Sequence, residues 1–108
     1  MPKQPDSAEL IEKLKAEGVH IRLRKSGQVH TLDFSKASFQ PDDPFLYQLD
    51  GLQSLEVLNV EGAPLTDGAI VPLMKHQNLK LMTLSGTQIS PEGIKRLRQN
   101  LIGCRIIA

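Results

Sequence analysis

A single cysteine, Cys104, occurs in the 108 residues. An internal disulfide framework and a multi-cysteine zinc site are therefore excluded. An excess of one charge is missing as well: 13 basic residues stand against 12 acidic ones, a formal net charge of +1. Such a balance provides no global field for capturing DNA, RNA or an acidic membrane surface, so any charged site has to be local. Long apolar runs are lacking, and no segment approaches the roughly 20 residues of a membrane span. The first stretch, MPKQPDSAELIEKLKAEG, has prolines and charges where a secretory signal needs an apolar run. A soluble, cytoplasmic protein with no membrane partner is the expectation. Neither GxxxxGK[S/T] nor GxGxxG occurs, so phosphate loops built on those glycines are absent.

What is present is ordinary for one small globular domain over residues 1–108: 40% apolar and 23% charged residues. Between Ser7 and Glu17, Leu10, Ile11 and Leu14 recur at helical spacing, with Asp6 or Ser7 available as N-cap, and Gly18 ends the helix. Ile21 and Leu23 then alternate with Arg22 and Arg24, and Leu32 and Phe34 with Thr31 and Asp33. Two strands are implied, joined as an antiparallel hairpin by a turn at Ser26-Gly27.

A longer pattern follows. LEVLNVEGAPLTDGAIVPL, from Leu55, is rewritten as LKLMTLSGTQISPEGIKRL, from Leu79. An offset of 24 takes Leu58 to Met82, Val60 to Leu84, Gly62 to Gly86, Leu65 to Ile89, Thr66 to Ser90, Ile70 to Ile94 and Leu73 to Leu97. Backward, Leu32 and Phe34 lie 26 before Leu58 and Val60, whereas Leu46 and Leu49 lie 24 before Ile70 and Leu73. The earlier copy thus carries two extra residues, in QPDDP. Forward, Ile106 and Ala108 lie 24 after Met82 and Leu84, which places one more strand at the end.

This period falls within the 20 to 29 residues of leucine-rich repeats, and LEVLNVEGAPL and LKLMTLSGTQI follow L-x-x-L-x-L-x-x-N/C-x-L. Over positions 29 to 108 the chain resembles the short bacterial leucine-rich repeat proteins, and NLIGCRI, Asn100 to Ile106, looks like the closing segment of that family. The resemblance implies an α/β fold: a small leucine-rich repeat solenoid with parallel strands on the concave face and short helices on the convex face. Residues 1–28 would form a helix and hairpin cap, 29–102 three repeats, and 103–108 a closing strand. Each unit cannot bury its apolar side alone, and stacking solves that. Helix starts fit the division: Ser90-Pro91, Thr66-Asp67 and Asp43-Pro44 each place a capping residue ahead of a helical one. One departure matters. Where the family carries Asn to bond neighbouring turns, this chain has Ala37, Ala63 and Thr87. The turns must be satisfied otherwise, with Thr87 and water as candidates.

Catalysis has no positive support, and the chain is read as a non-enzyme without metal or cofactor. Cys104 lacks an assigned base and reads as a small buried residue of the closing segment. His20, His30 and His76 have no metal-ligand spacing; His20 and His30 could meet across the hairpin, but surface or strand-lining histidine is the plainer reading. Asp42 and Asp43 adjoin prolines and read as helix caps. HIRLRKSGQVH carries a local basic cluster of Arg22, Arg24 and Lys25 without aromatic side chains to stack bases. It reads first as a charged edge strand, and second as a contact for nucleic acid or another anionic partner.

Strand geometry supplies the main functional expectation. If Leu58 and Val60 face inward, Val57, Asn59 and Glu61 face outward, with Leu81, Thr83 and Ser85 beside them. Thr31, Asp33 and Ser35 extend these columns on one side, Arg105 and Ile107 on the other. Val57, Leu81 and Ile107 form an apolar diagonal rimmed by polar residues, the composition of a contact for a protein partner or a second copy.

Overall fold

Leu10, Ile11 and Leu14 lie on one stripe of helix α1, Ala8–Ala16, in the computed structural model of the protein, which describes residues 8 to 25, 27 to 49, 52 and 54 to 108. Asp6, Ser7 and Ser26, the expected cap and turn residues, lie outside the described residues. The end of α1 follows from Gly18, whose φ of 82° is left-handed. Its N–H donates to Lys15 at 3.0 Å and that of Val19 to Leu14 at 3.1 Å. These are the two bonds of a Schellman motif, and the buried pair Leu14 and Val19 supplies its apolar contact.

Five strands make one sheet in chain order: β1 His20–Leu23, β2 Val29–Asp33, β3 Val57–Asn59, β4 Leu81–Thr83 and β5 Arg105–Ile107. β1 runs antiparallel to β2, and β2 to β5 are mutually parallel. Between the parallel strands lie helices α2 Asp43–Leu46, α3 Ile70–Met74 and α4 Pro91–Asn100. The fold is therefore mixed α/β, a sheet with helices. Leu32, Leu58, Met82 and Ile106 pair across it in register, and all four are buried. Leu46, Leu49, Ile70, Leu73, Ile94 and Leu97 come to the same core from the helical layer.

The helices differ in length for a chemical reason. α4 runs ten residues, whereas Asp67–Ala69 is a 3-10 turn and α3 has only five residues. Pro72 has no N–H to donate back toward Gly68, so one continuous helix from Asp67 to Met74 would lack a bond at its centre.

Two details of the sequence pattern are refined. Leu23 lies opposite the buried Val29, on the side of Ile21, yet it is 41% exposed. Arg22 pairs with Thr31 but Leu23 with Val29, so His30 is an extra residue on β2, a bulge at the end of the hairpin strand. The cap of α2 is Asp42, one residue before the expected Asp43: its carboxylate accepts from the Phe45 N–H at 3.0 Å. Thr66 and Ser90 cap as expected, accepting from Gly68 and Gly93.

Asp43 instead reaches forward. Its carboxylate accepts from the Thr66 N–H at 2.9 Å and from the Thr66 hydroxyl. One unit later, Asp67 accepts from the Ser90 N–H at 2.7 Å and the Ser90 hydroxyl at 2.8 Å. The caps Thr66 and Ser90 are thus each tied to the acid of the preceding unit, a link between units that the expectation of Thr87 and water in place of an asparagine ladder did not include. Thr87 contributes as well, donating from its hydroxyl to the Leu84 carbonyl at 2.7 Å. The bonds from the Ser90 backbone and side chain outweigh a small desolvation cost, and with Arg96 they hold the Asp67 carboxyl below its ordinary range. A folded-state value below the unfolded one, about 3.9, adds stability above that pH that is lost as pH falls through the folded value. Asp67→Asn should therefore shrink the fall in urea midpoint between about pH 6 and pH 3; an unchanged acid limb would count against the ladder.

The turns after β3 and β4 close with Ala63 and Thr87 N–H bonds to Val60 and Leu84, and Gly62 and Gly86 hold φ of 76° and 77°. This is the third position of a type II turn, which needs glycine. Space separates the two sites. A Cβ on Gly62 meets nothing within 4 Å, whereas one on Gly86 comes within 3.3 Å of the Gly62 Cα. Gly62→Ala is expected to cost about 1 kcal/mol from backbone strain alone and Gly86→Ala about 2 kcal/mol, measured as urea stability. Equal losses would refute the contact.

Candidate functional site

The register sets the strand residues of the first two expected columns side by side, at offsets of 26 and then 24. Thr31, Val57, Leu81 and Arg105 pair in one line across β2 to β5, and Asp33, Asn59, Thr83 and Ile107 in the next. Val57 and Leu81 stand side by side and half-buried, and Ile107 lies one strand over and two residues along from Leu81, 40% exposed. Ser35, Glu61 and Ser85 follow in the turns, where Glu61 is exposed. On strands this short, flanked by turns bonded to their neighbours, the face is held by backbone pairing rather than by its own side chains.

Two of the polar residues already have local work. Asp33 accepts from the Ser35 N–H at 2.8 Å, and Asn59 from the Glu61 N–H at 3.1 Å. Both are side-chain turns that fix the chain as it leaves the strand. Desolvation opposes the charge on Asp33, but the Ser35 bonds, with His20 and Lys36 nearby, hold its carboxyl below the usual range.

The hairpin strand β1 adds residues to both lines that the offset did not reach. Arg22 pairs with Thr31 and His20 with Asp33, so each line gains a cationic or titratable end. His20 and His30 do not meet as a metal pair. His20 lies opposite Asp33, three residues along β2 from His30, about 10 Å of strand. Among the described residues no group of three or more His, Cys, Asp or Glu is placed to hold a metal ion.

A charged cluster before the strands was also missed. Glu56, its side chain 15% exposed, pairs with Arg24 and with Lys80 at 3.2 Å, and His30 Nε2 stands 3.9 Å away. Arg24 also donates to the Ser54 carbonyl at 3.5 Å, and the Ser54 hydroxyl to Gln28 at 2.7 Å. Burial first, then Arg24, Arg22 and Lys80, push the His30 imidazole below its ordinary value. One of the three basic residues of the expected hairpin cluster, Arg24, is thus turned onto a carboxylate.

Elsewhere, His76 is buried rather than on the surface, and its Nδ1 donates to the Leu52 carbonyl at 3.3 Å. Cys104 is half-buried against the core, and desolvation pushes its thiol up, away from nucleophilic use. A shallow groove of about 340 Å³ lies between Ile89, Pro91, Ile94, Arg98 and Ala108. Arg98 donates to the Ile106 carbonyl at 3.3 Å, occupying one acceptor on the open edge of β5. Among the described residues no helix is long and apolar enough to cross a membrane. In comparisons with known proteins, no family model, no curated protein and no solved structure matches the chain.

Proposed function

We propose that the chain is a small leucine-rich repeat solenoid that serves as a non-catalytic protein-interaction module, binding its partner through the open sheet face. The solenoid reading is supported by parallel pairing at the sequence offset and by the acid-to-cap bonds that recur at the same spacing. For the function, the carrying observation is the pairing of Val57 with Leu81 on the solvent side, apolar and half-exposed within a polar frame. Apolar side chains left side by side on a rigid sheet gain by being covered, and a rigid face loses little entropy in binding. The nucleic-acid alternative is weakened by the pairing of Arg24 with Glu56.

The test is capture from a native extract by three immobilised forms: wild type, Val57→Asp with Leu81→Asp, and Val71→Asp on α3, where Val71 is 51% exposed in the helical layer. A partner identified by mass spectrometry with wild type and Val71→Asp, and absent from the double variant, is the expected outcome. Loss with Val71→Asp alone would move the site to the helices.

A further inference from the structure

The row through Val57 and Leu81 has a charge pattern of its own. Arg22, Thr31, Val57, Leu81 and Arg105 cross all five strands in register, so an arginine stands at each end of an apolar centre. Both arginines are exposed, and neither has an ion-pair partner among the described residues. Directly before the strands, Arg24 and Lys80 flank Glu56, and the Lys80 side chain remains 75% exposed. At the opposite ends of the strands stand Asp33 and Glu61, with His20 and Lys36 near Asp33.

We infer that this row recognises a segment of a partner protein in which acidic side chains flank aliphatic ones, an inference that rests on the protein-binding reading of the sheet face. Adjacent strands lie about 4.8 Å apart, so the backbones under the two arginines are roughly 19 Å apart. An extended segment covers that span in about six residues at 3.3 Å each, and a helix in about 13 at 1.5 Å each. Carboxylates at the two ends of such a segment meet Arg22 and Arg105, and aliphatic side chains between them cover Val57 and Leu81. A nucleic acid fits less well. It carries a phosphate at every step, so charge would lie over the apolar centre, and the row has no aromatic ring on which a base could stack.

Arginines at the rim act mainly on association rate and salt dependence, while the apolar centre sets residence. The experiment is a selection of random 12-residue peptides on the immobilised protein, followed by fluorescence polarisation of the selected peptides at low and high salt. Three proteins are compared: wild type, Arg22→Glu with Arg105→Glu, and Val57→Asp with Leu81→Asp. A consensus of Asp or Glu flanking aliphatic residues is expected, bound at least about 10-fold more weakly by the charge-reversed protein and losing its salt dependence there. Both arginines are exposed, so that protein should fold normally, checked by circular dichroism. A neutral consensus that is lost only with Val57→Asp and Leu81→Asp would overturn the charge inference and leave the face as the binding site. Acidic peptides indifferent to both pairs of substitutions would overturn both readings. Recovery of no consensus, or tight binding of a single-stranded oligonucleotide that Arg22→Glu abolishes, would overturn the peptide assignment.

Discussion

Leu58→Ala is expected to destabilise the protein by about 3 kcal/mol, within the range of about 2–5 for truncating a fully buried leucine. Leu58 is 1% exposed and pairs with Leu32 on one side and Met82 on the other, so it belongs to three strands' worth of packing. Truncation removes its own transfer free energy and opens a cavity between layers that backbone pairing keeps from closing. A domain of this size has roughly 5–15 kcal/mol in total, so the loss is a large share. Urea denaturation should show a lower midpoint with an unchanged slope. Leu23→Ala is the matched control: at 41% exposure beside a bulge it should shift stability by no more than about 0.5 kcal/mol. Similar losses at the two positions would contradict the difference in burial between them.

The second large effect is on binding. Val57→Asp together with Leu81→Asp should weaken the identified partner at least about 100-fold, while Val71→Asp changes affinity by less than about threefold. Covering the face would desolvate two unpaired carboxylates, and that cost comes on top of the lost apolar contact. The fold should tolerate the change, because both side chains point away from the core and strand preference spans only about 1 kcal/mol per site. Isothermal titration of the purified pair, beside circular dichroism of each variant, separates the two effects. Weak binding with a melted spectrum would mean a folding defect instead.

The parts of the fold that were legible in the sequence are those written by repetition along the chain. Leu58 with Met82 and Val57 with Leu81 follow from one offset, because parallel neighbours in equivalent positions sit at the repeat distance. Contacts that join unlike segments were not legible. Arg24, Glu56 and Lys80 come from a hairpin and two loops, and nothing in their spacing marks them as a cluster. The acid-to-cap bonds are an intermediate case. Asp43 and Asp67, and Thr66 and Ser90, do repeat at 24, but the bonded partners lie one unit apart rather than in the same column. The bulge at His30 left no trace in the alternation of Ile21 and Leu23, since the extra residue is on the other strand. His76 resembled a surface residue because its acceptor, the Leu52 carbonyl, belongs to backbone and has no side-chain signature.

The most direct measurement of the sheet face as the binding surface is methyl NMR of the chain titrated with its purified partner. Val57, Leu81 and Ile107 report on the sheet, whereas Val71 on α3 and Ile102, 88% exposed after α4, report on the rest of the surface. Shifted or broadened signals at Val57, Leu81 and Ile107, with Val71 and Ile102 unmoved, are expected. Shifts confined to Val71 and Ile102 would contradict it.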